Sequence, residues 1–135
     1  MSEVVYLDTS AVLRSVLERG VSPDIEGRRG GARLLVTSRL TRVEAARALS
    51  RLRLDGVAVP VLADAARELD SLWARTAIWE LSRTVCDLAG HLAPLQRLRT
   101  LDALHLATFV LARRSLGEAL SLLTTDHRLE QAAAA

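Results

Sequence analysis

Val4-Val5-Tyr6-Leu7-Asp8-Thr9-Ser10 is the stretch on which the reading of the fold depends. Its first four residues are dominated by apolar and β-branched side chains. They are short enough to form a strand buried on both faces of a parallel sheet. Asp8 falls where that strand stops, and Val12, Leu13, Val16 and Leu17 then recur at helical spacing. In an open α/β sheet, ligands bind outside the carboxyl ends of the strands. Glu44, Asp102 and Asp126 recur later at similar positions, so function turns on whether these four carboxylates meet.

Working outward, Gly20 ends the first helix, and Ser22-Pro23 marks a short second one that stops at Gly30-Gly31. The basic, glycine-rich run from Gly27 to Arg33 reads as mobile. Leu34-Leu35-Val36-Thr37 is a second buried strand, and Thr41 opens a helix to about Leu54 that Gly56 closes. From Val61 to about Arg75 runs a regular stripe of Leu62, Ala65, Ala66, Leu69, Leu72 and Trp73. Ala77-Ile78-Trp79-Glu80-Leu81 is a weaker third strand; Ser82 caps a helix that Pro94 breaks. The helix from Thr100 to about Arg113 is apolar on nearly all sides between Leu101 and Ala112, which predicts the central, most buried helix. Leu120 to Leu123 is a fourth strand, Thr125-Asp126 starts a last helix, and the Ala132–Ala135 tail is expected to fray. This alternation argues for an α/β fold with a central parallel sheet of four or five strands, in one domain over residues 1–135.

Composition narrows the chemistry. Half of the residues are apolar but only four are aromatic, so the core is built from Leu, Val and Ala. No apolar stretch approaches the roughly 20 residues of a membrane span. No signal-peptide pattern opens the chain, and Cys86 is the only cysteine, which excludes an intrachain disulfide. These features fit the cytoplasm. The net charge of +2 does not by itself suggest nucleic acid. All 18 basic residues are Arg, however, which excludes a P-loop lysine, a Schiff base and a Ser-Lys dyad. The guanidinium fork is compatible with phosphate binding.

Each acid has an ordinary explanation. Asp8 and Asp126 suit helix N-caps, Thr41-Arg42-Val43-Glu44 matches a capping box, and Asp102 lies where a helix dipole favours an anion. Together they share one edge of a parallel sheet, where grouped carboxylates repel unless a cation sits between them. Oxygen donors without Cys or an obvious His pair suit Mg²⁺ or Mn²⁺ better than zinc.

Four segments carry a family resemblance: Leu7-Asp8-Thr9-Ser10-Ala11, Thr41-Arg42-Val43-Glu44, the run from Arg99 through Asp102-Ala103-Leu104-His105 to Ala107, and Leu123-Thr124-Thr125-Asp126-His127-Arg128-Leu129. In order and spacing they resemble the signature segments of PIN domains, above all the VapC toxins of toxin–antitoxin pairs. The resemblance covers essentially the whole chain. It implies a PIN-like three-layer α/β fold and a metal-dependent endoribonuclease that cuts RNA by metal-activated water, leaving 5′-phosphate and 3′-hydroxyl ends. It implies Mg²⁺, replaceable by Mn²⁺, and a homodimer that assembles with a VapB-like antitoxin into a larger complex. Carried over by residue, Asp8 and Asp102 are the surest metal ligands, with Glu44 and Asp126 completing the catalytic set directly or through water. Ser10 and Thr124 are hydroxyl partners that orient a carboxylate or water. Arg97 and Arg99, then Arg39 and Arg42, are candidates for RNA phosphate contacts.

His105 shares a helical face with Asp102, as that acid's partner or, the favoured reading, as a buried hydrogen-bonded histidine. Trp73 fits a core or dimer-interface stripe, and His127 is expected to be exposed. Two other functions compete. A receiver-like Mg²⁺-binding signalling domain needs a lysine and a pair of adjacent acids near the first strand, and both are absent. A non-catalytic PIN-like scaffold commonly lacks one of the acids, and all four are present.

Overall fold

The computed structural model describes residues 3–92 and 97–134. The elements run β1 (Val4–Leu7), α1 (Thr9–Leu17), α2 (Pro23–Gly31), β2 (Leu34–Ser38), α3 (Arg39–Leu54), α4 (Val59–Ala74), β3 (Thr76–Trp79), α5 (Arg83–His91), α6 (Thr100–Leu116), β4 (Ser121–Leu123) and α7 (His127–Ala134). The strands form one parallel sheet in the order β3-β2-β1-β4. Val5 pairs with Leu35 on one side and Ser121 on the other, so β1 is an interior strand.

Strand alternation sorts β1 into two cores. Val5 and Leu7 join Ala11, Val12, Leu35, Leu69 and Leu72 on one face. Val4 and Tyr6 join Val36, Leu106, Phe109 and Leu129 on the other. With helices over both faces the architecture is three-layered, as parallel sheets require. Residues His105 to Phe109 of α6 are buried without interruption, matching the apolar run read from the sequence.

The strand order also locates a switch point. Successive strands β1, β2 and β3 are laid down in one direction, whereas β4 returns to the opposite side of β1. Ligands of open α/β sheets bind at such a reversal, outside the carboxyl ends of the strands. Asp8 follows β1 and Thr124-Thr125-Asp126 follows β4, so both segments flank it.

Several local expectations change. Helix α3 begins at Arg39 rather than Thr41, because Ser38 takes the N-cap and its hydroxyl accepts from Leu40 N at 3.0 Å. Thr41 is fully buried, its hydroxyl 2.8 Å from that of Thr37. Helix α2 does start at Pro23 and stop at Gly31 as read, with Arg28 paired to Glu3 and Arg29 to Glu68. Strand β3 starts one residue early and ends at Trp79. Helix α6 continues to Leu116 and stops at Gly117, whose left-handed φ of 65° suits a C-terminal glycine. The stretch before β4 is thus mostly helix. Helix α7 runs to Ala134 with Ala132 buried, so the expected fraying is not seen there. Pro94, expected as the helix breaker, lies outside the described residues; α5 ends at His91.

Candidate active site at the carboxyl edge of the sheet

Asp8 is both a cap and the centre of a hydroxyl cradle. It is only 4% exposed. Its Oδ1 accepts from Ala11 N at 2.9 Å, capping α1, and from Ser10 Oγ at 2.7 Å. Its Oδ2 accepts from Thr124 Oγ1 at 2.6 Å. The hydroxyls are held in turn: Thr125 N donates to Ser10 Oγ at 2.9 Å, and Asp126 N donates to Thr124 Oγ1 at 3.0 Å. The loop after β4 is thereby fastened onto the carboxylate after β1. Burial pushes the Asp8 carboxyl above its ordinary range, against the hydrogen bonds from Thr124, Ser10 and Ala11 N.

Glu44 has a different setting. The capping-box reading fails, because the cap of α3 is three residues earlier than that motif requires. Glu44 instead reaches across the edge, where Thr9 Oγ1 donates to its Oε1 at 2.6 Å and His105 Nε2 lies 2.9 Å from the same oxygen. Burial raises its pKa, but the bonds from His105 and Thr9 outweigh burial and leave the carboxyl below its usual value. His105 therefore partners Glu44, not Asp102. Its Nδ1 is 3.0 Å from the Tyr6 hydroxyl. Burial drives the Tyr6 phenol far above its ordinary pKa, with the charge of Asp8 adding to the effect.

Asp126 is half-buried, and its Oδ1 accepts from Arg128 N at 2.9 Å at the start of α7, as a capping residue would. Asp102 is half-buried in the first turn of α6, one turn before His105. Hydrogen bonds thus join Asp8 to the Asp126 segment, and Glu44 to α6. Among the described residues, no three acidic, His or Cys side chains stand close enough to hold one ion. No Arg forms an ion pair with Asp8, Glu44 or Asp102 there either. Hard oxygen donors without a fixed cation suit Mg²⁺, which keeps several waters and needs only one or two carboxylates.

The arginine candidates divide. Arg39 is engaged by Glu80, and Arg42 lies over the Trp73 ring at 5.9 Å. Arg97 and Arg99 are exposed before α6, Arg97 with a left-handed φ of 50°. Thr9 and Tyr6 also belong to this network, and neither carries a signal along the chain beyond lying within two residues of Asp8, because their partners lie far away in sequence.

This arrangement, carboxylates around the switch point of a short parallel sheet, defines a class of protein, and the comparisons agree with it. Residues 5–135 match the PIN domain family, and the chain belongs to that family. Two curated relatives from Mycobacterium tuberculosis strains, Ribonuclease VapC45 and Ribonuclease VapC49, are each 36% identical over 106 residues. Each match covers 78% of this chain and 74% of the relative. Among solved structures, PAE2754 from Pyrobaculum aerophilum superposes with a TM-score of 0.65 at 23% identity, covering 98% of this chain and 87% of that one. VapBC2 from Rickettsia felis, solved bound to a DNA fragment from its promoter, gives 0.61 at 14% identity, covering 91% and 99%. These two likenesses concern the fold.

Proposed function

We propose that this chain is a Mg²⁺-dependent endoribonuclease acting as the toxin of a toxin–antitoxin pair. The observation that carries the reading is Asp8, a buried carboxylate at the switch point with three hydrogen-bond donors and no basic partner among the described residues. Family membership and VapC-named relatives support the nuclease assignment. The VapBC2 likeness is the reason to look for a VapB-type antitoxin.

Asp8 and Asp102 would hold the ion, with Glu44 and Asp126 beside them. When bound, Mg²⁺ or Mn²⁺ supplies Lewis acidity toward a phosphodiester oxygen and lowers the pKa of a coordinated water. The chain's own residues do the rest. Ser10, Thr124 and Ala11 N keep Asp8 in one orientation, and burial there strengthens each electrostatic contact. Glu44, held by Thr9 and His105, would stand beside the ion as an ionised acceptor and orient the attacking water by a hydrogen bond. In the reaction, a water oxygen bonds to phosphorus and the P–O3′ bond breaks. The 3′ oxygen leaves with a proton, and the other fragment keeps a 5′-phosphate. Arg97 and Arg99, exposed just ahead of Asp102, would contact the RNA phosphates.

Partner surfaces have apolar candidates. A groove of ≈ 360 Å³ between α3 and α4 is lined by Leu49, Val59, Leu62, Ala63 and Ala66, with Ser50 and Arg53. Val59 in that lining is exposed. Such a patch suits a second copy or an antitoxin helix. Among the described residues no helix is long and apolar enough to cross a membrane.

The test is cleavage of total cellular RNA by purified protein in Mg²⁺ and in chelator, for wild type and Asp8→Asn, with the new ends identified. Metal-dependent cuts bearing 5′-phosphates and lost in the variant are the expected result. Cutting that persists in chelator and in Asp8→Asn overturns the reading.

A further inference from the structure

His105 stands in a buried run that is otherwise apolar but for Thr108, and is itself 4% exposed. A buried imidazole needs partners for both ring nitrogens, and this one has them. The Tyr6 hydroxyl is 3.0 Å from Nδ1; Glu44 Oε1 is 2.9 Å and Thr9 Oγ1 3.2 Å from Nε2. The ring is also wedged edge-on against Tyr6, with centroids 6.1 Å apart, and Tyr6 meets Phe109 in the same way at 5.9 Å. The imidazole is therefore fixed by packing as well as by hydrogen bonds.

Both donors on Glu44 converge on one oxygen. Thr9 Oγ1 and His105 Nε2 each contact Oε1, while Oε2 has no hydrogen bond among the described residues. A free glutamate side chain has several rotamers to lose on ordering. Pinning Oε1 removes most of that freedom while leaving the second oxygen available. A carboxylate can only accept, so Nε2 carries the proton; in the neutral ring Nδ1 then accepts from the Tyr6 O–H.

We infer that His105 is a positioning residue. Held by Tyr6 in the Nε2–H tautomer, it clamps Oε1 of Glu44 together with Thr9 and leaves Oε2 for the ion's water or the attacking water. The inference rests on the nuclease reading for its role, but the clamp has its own readouts. The alternative is a histidine that merely fills the core.

The experiment compares wild type with His105→Gln, His105→Leu and Tyr6→Phe in the full chain. It measures Mn²⁺ affinity by electron paramagnetic resonance, kcat and KM on RNA, ¹⁵N shifts of the ring, and melting temperature. Loss of a residue that orients a metal-site ligand commonly costs about 10–100-fold in metal affinity or activity. His105→Leu should lose kcat and Mn²⁺ affinity in that range. Its KM should stay within about twofold, because substrate contacts are untouched. His105→Gln, whose amide can still donate to Glu44, should recover most of the loss. Tyr6→Phe should weaken the Nε2–H signature and lower kcat by less than His105→Leu.

A folded His105→Leu with wild-type kcat and Mn²⁺ affinity overturns the inference. So does His105→Gln performing no better than His105→Leu at equal melting temperature. The two readings fail separately. If wild type binds Mn²⁺ but cuts no RNA, the nuclease reading falls, and the Mn²⁺ affinity of His105→Leu still decides the clamp. A wild type that binds no Mn²⁺ overturns both.

Discussion

The two carboxylates nearest the centre of this edge, Asp8 and Glu44, are held by opposite devices. Asp8 is held close to its own helix: the cap bond and Ser10 are local, and only Thr124 comes from afar. It is nearly sealed from water, and burial raises its pKa. Glu44 is half-buried and is held wholly by other elements, through Thr9 and His105. Those bonds lower its pKa against the effect of burial. One edge thus contains an anion that the metal-free fold disfavours and another that it favours. The first is suited to recruit a cation, whose charge would relieve the penalty. The second is suited to remain ionised and to accept a hydrogen bond from a water through its free oxygen.

The largest expected effect comes from removing the disfavoured anion. A divalent ion supplies several kcal/mol of transition-state stabilisation. At about 1.4 kcal/mol per decade, Asp8→Asn should lower kcat by roughly 10³-fold or more, measured on the cleaved RNA. The same substitution should raise the melting temperature of the metal-free protein at pH 7, because Asn Oδ1 still accepts from Ala11 N and Ser10 Oγ, its amide can donate to Thr124 Oγ1 in place of accepting from it, and no charge is buried. Glu44→Gln should also lose cleavage, but without that gain in stability. If Asp8→Asn and Glu44→Gln shift the melting temperature in the same direction, the contrast between the two carboxylates is broken.

Next comes Thr124→Val, which keeps the side-chain shape and removes the donor to Oδ2 of Asp8. Hydrogen bonds to charged groups are worth about 1.5–3 kcal/mol. The metal-free protein should be destabilised in that range at neutral pH by urea unfolding, and cleavage should fall by about tenfold.

The pH dependence sharpens the comparison further. Asp8 has a raised folded pKa, so its contribution is fully present below its unfolded value, about 3.9. It is lost as pH rises through the folded value. Glu44 has a depressed folded pKa, so its contribution is present above its unfolded value, about 4.3, and is lost as pH falls through the folded value. Melts in chelator should therefore show the advantage of Asp8→Asn over wild type growing as pH rises above that lower value. The advantage of wild type over Glu44→Gln should disappear on acidification. An advantage of Asp8→Asn that is constant with pH would contradict the burial account.

The smallest effect is expected at the arginines. Arg39→Ala should leave the salt dependence of RNA binding unchanged, because Glu80 already engages that guanidinium. Arg99→Ala should weaken binding and reduce the salt slope by about one. Equal slopes for the two variants would remove Arg99 from the RNA path.

Much of the fold was legible along the chain. The β1 strand, the spacing of the α1 stripe and the apolar run of α6 were read from residue patterns alone. The misreadings were local competitions. Thr41 looked like a cap, but Ser38 stands at the end of β2 and takes that place. Of the candidate site, the positions of Asp8 and Asp126 at strand ends were legible, as were their capping bonds. The partner of His105 was not, because helical spacing joined it to Asp102 whereas the packed structure joins it to Glu44.

The sequence by itself determined the elements and the placing of acids after strands, because periodicity and capping depend on neighbours within a few residues. Only the tertiary structure decided what each acid touches. Thr9 reaches Glu44 across 35 positions, His105 reaches it across 61, and Thr124 reaches Asp8 across 116. Those meetings follow from the strand order β3-β2-β1-β4, which sets the last strand beside the first and brings distant residues to one edge of the sheet. A strand's pattern says that it is buried but not which strand lies next to it, so the environment of each carboxylate is settled only when the layers pack.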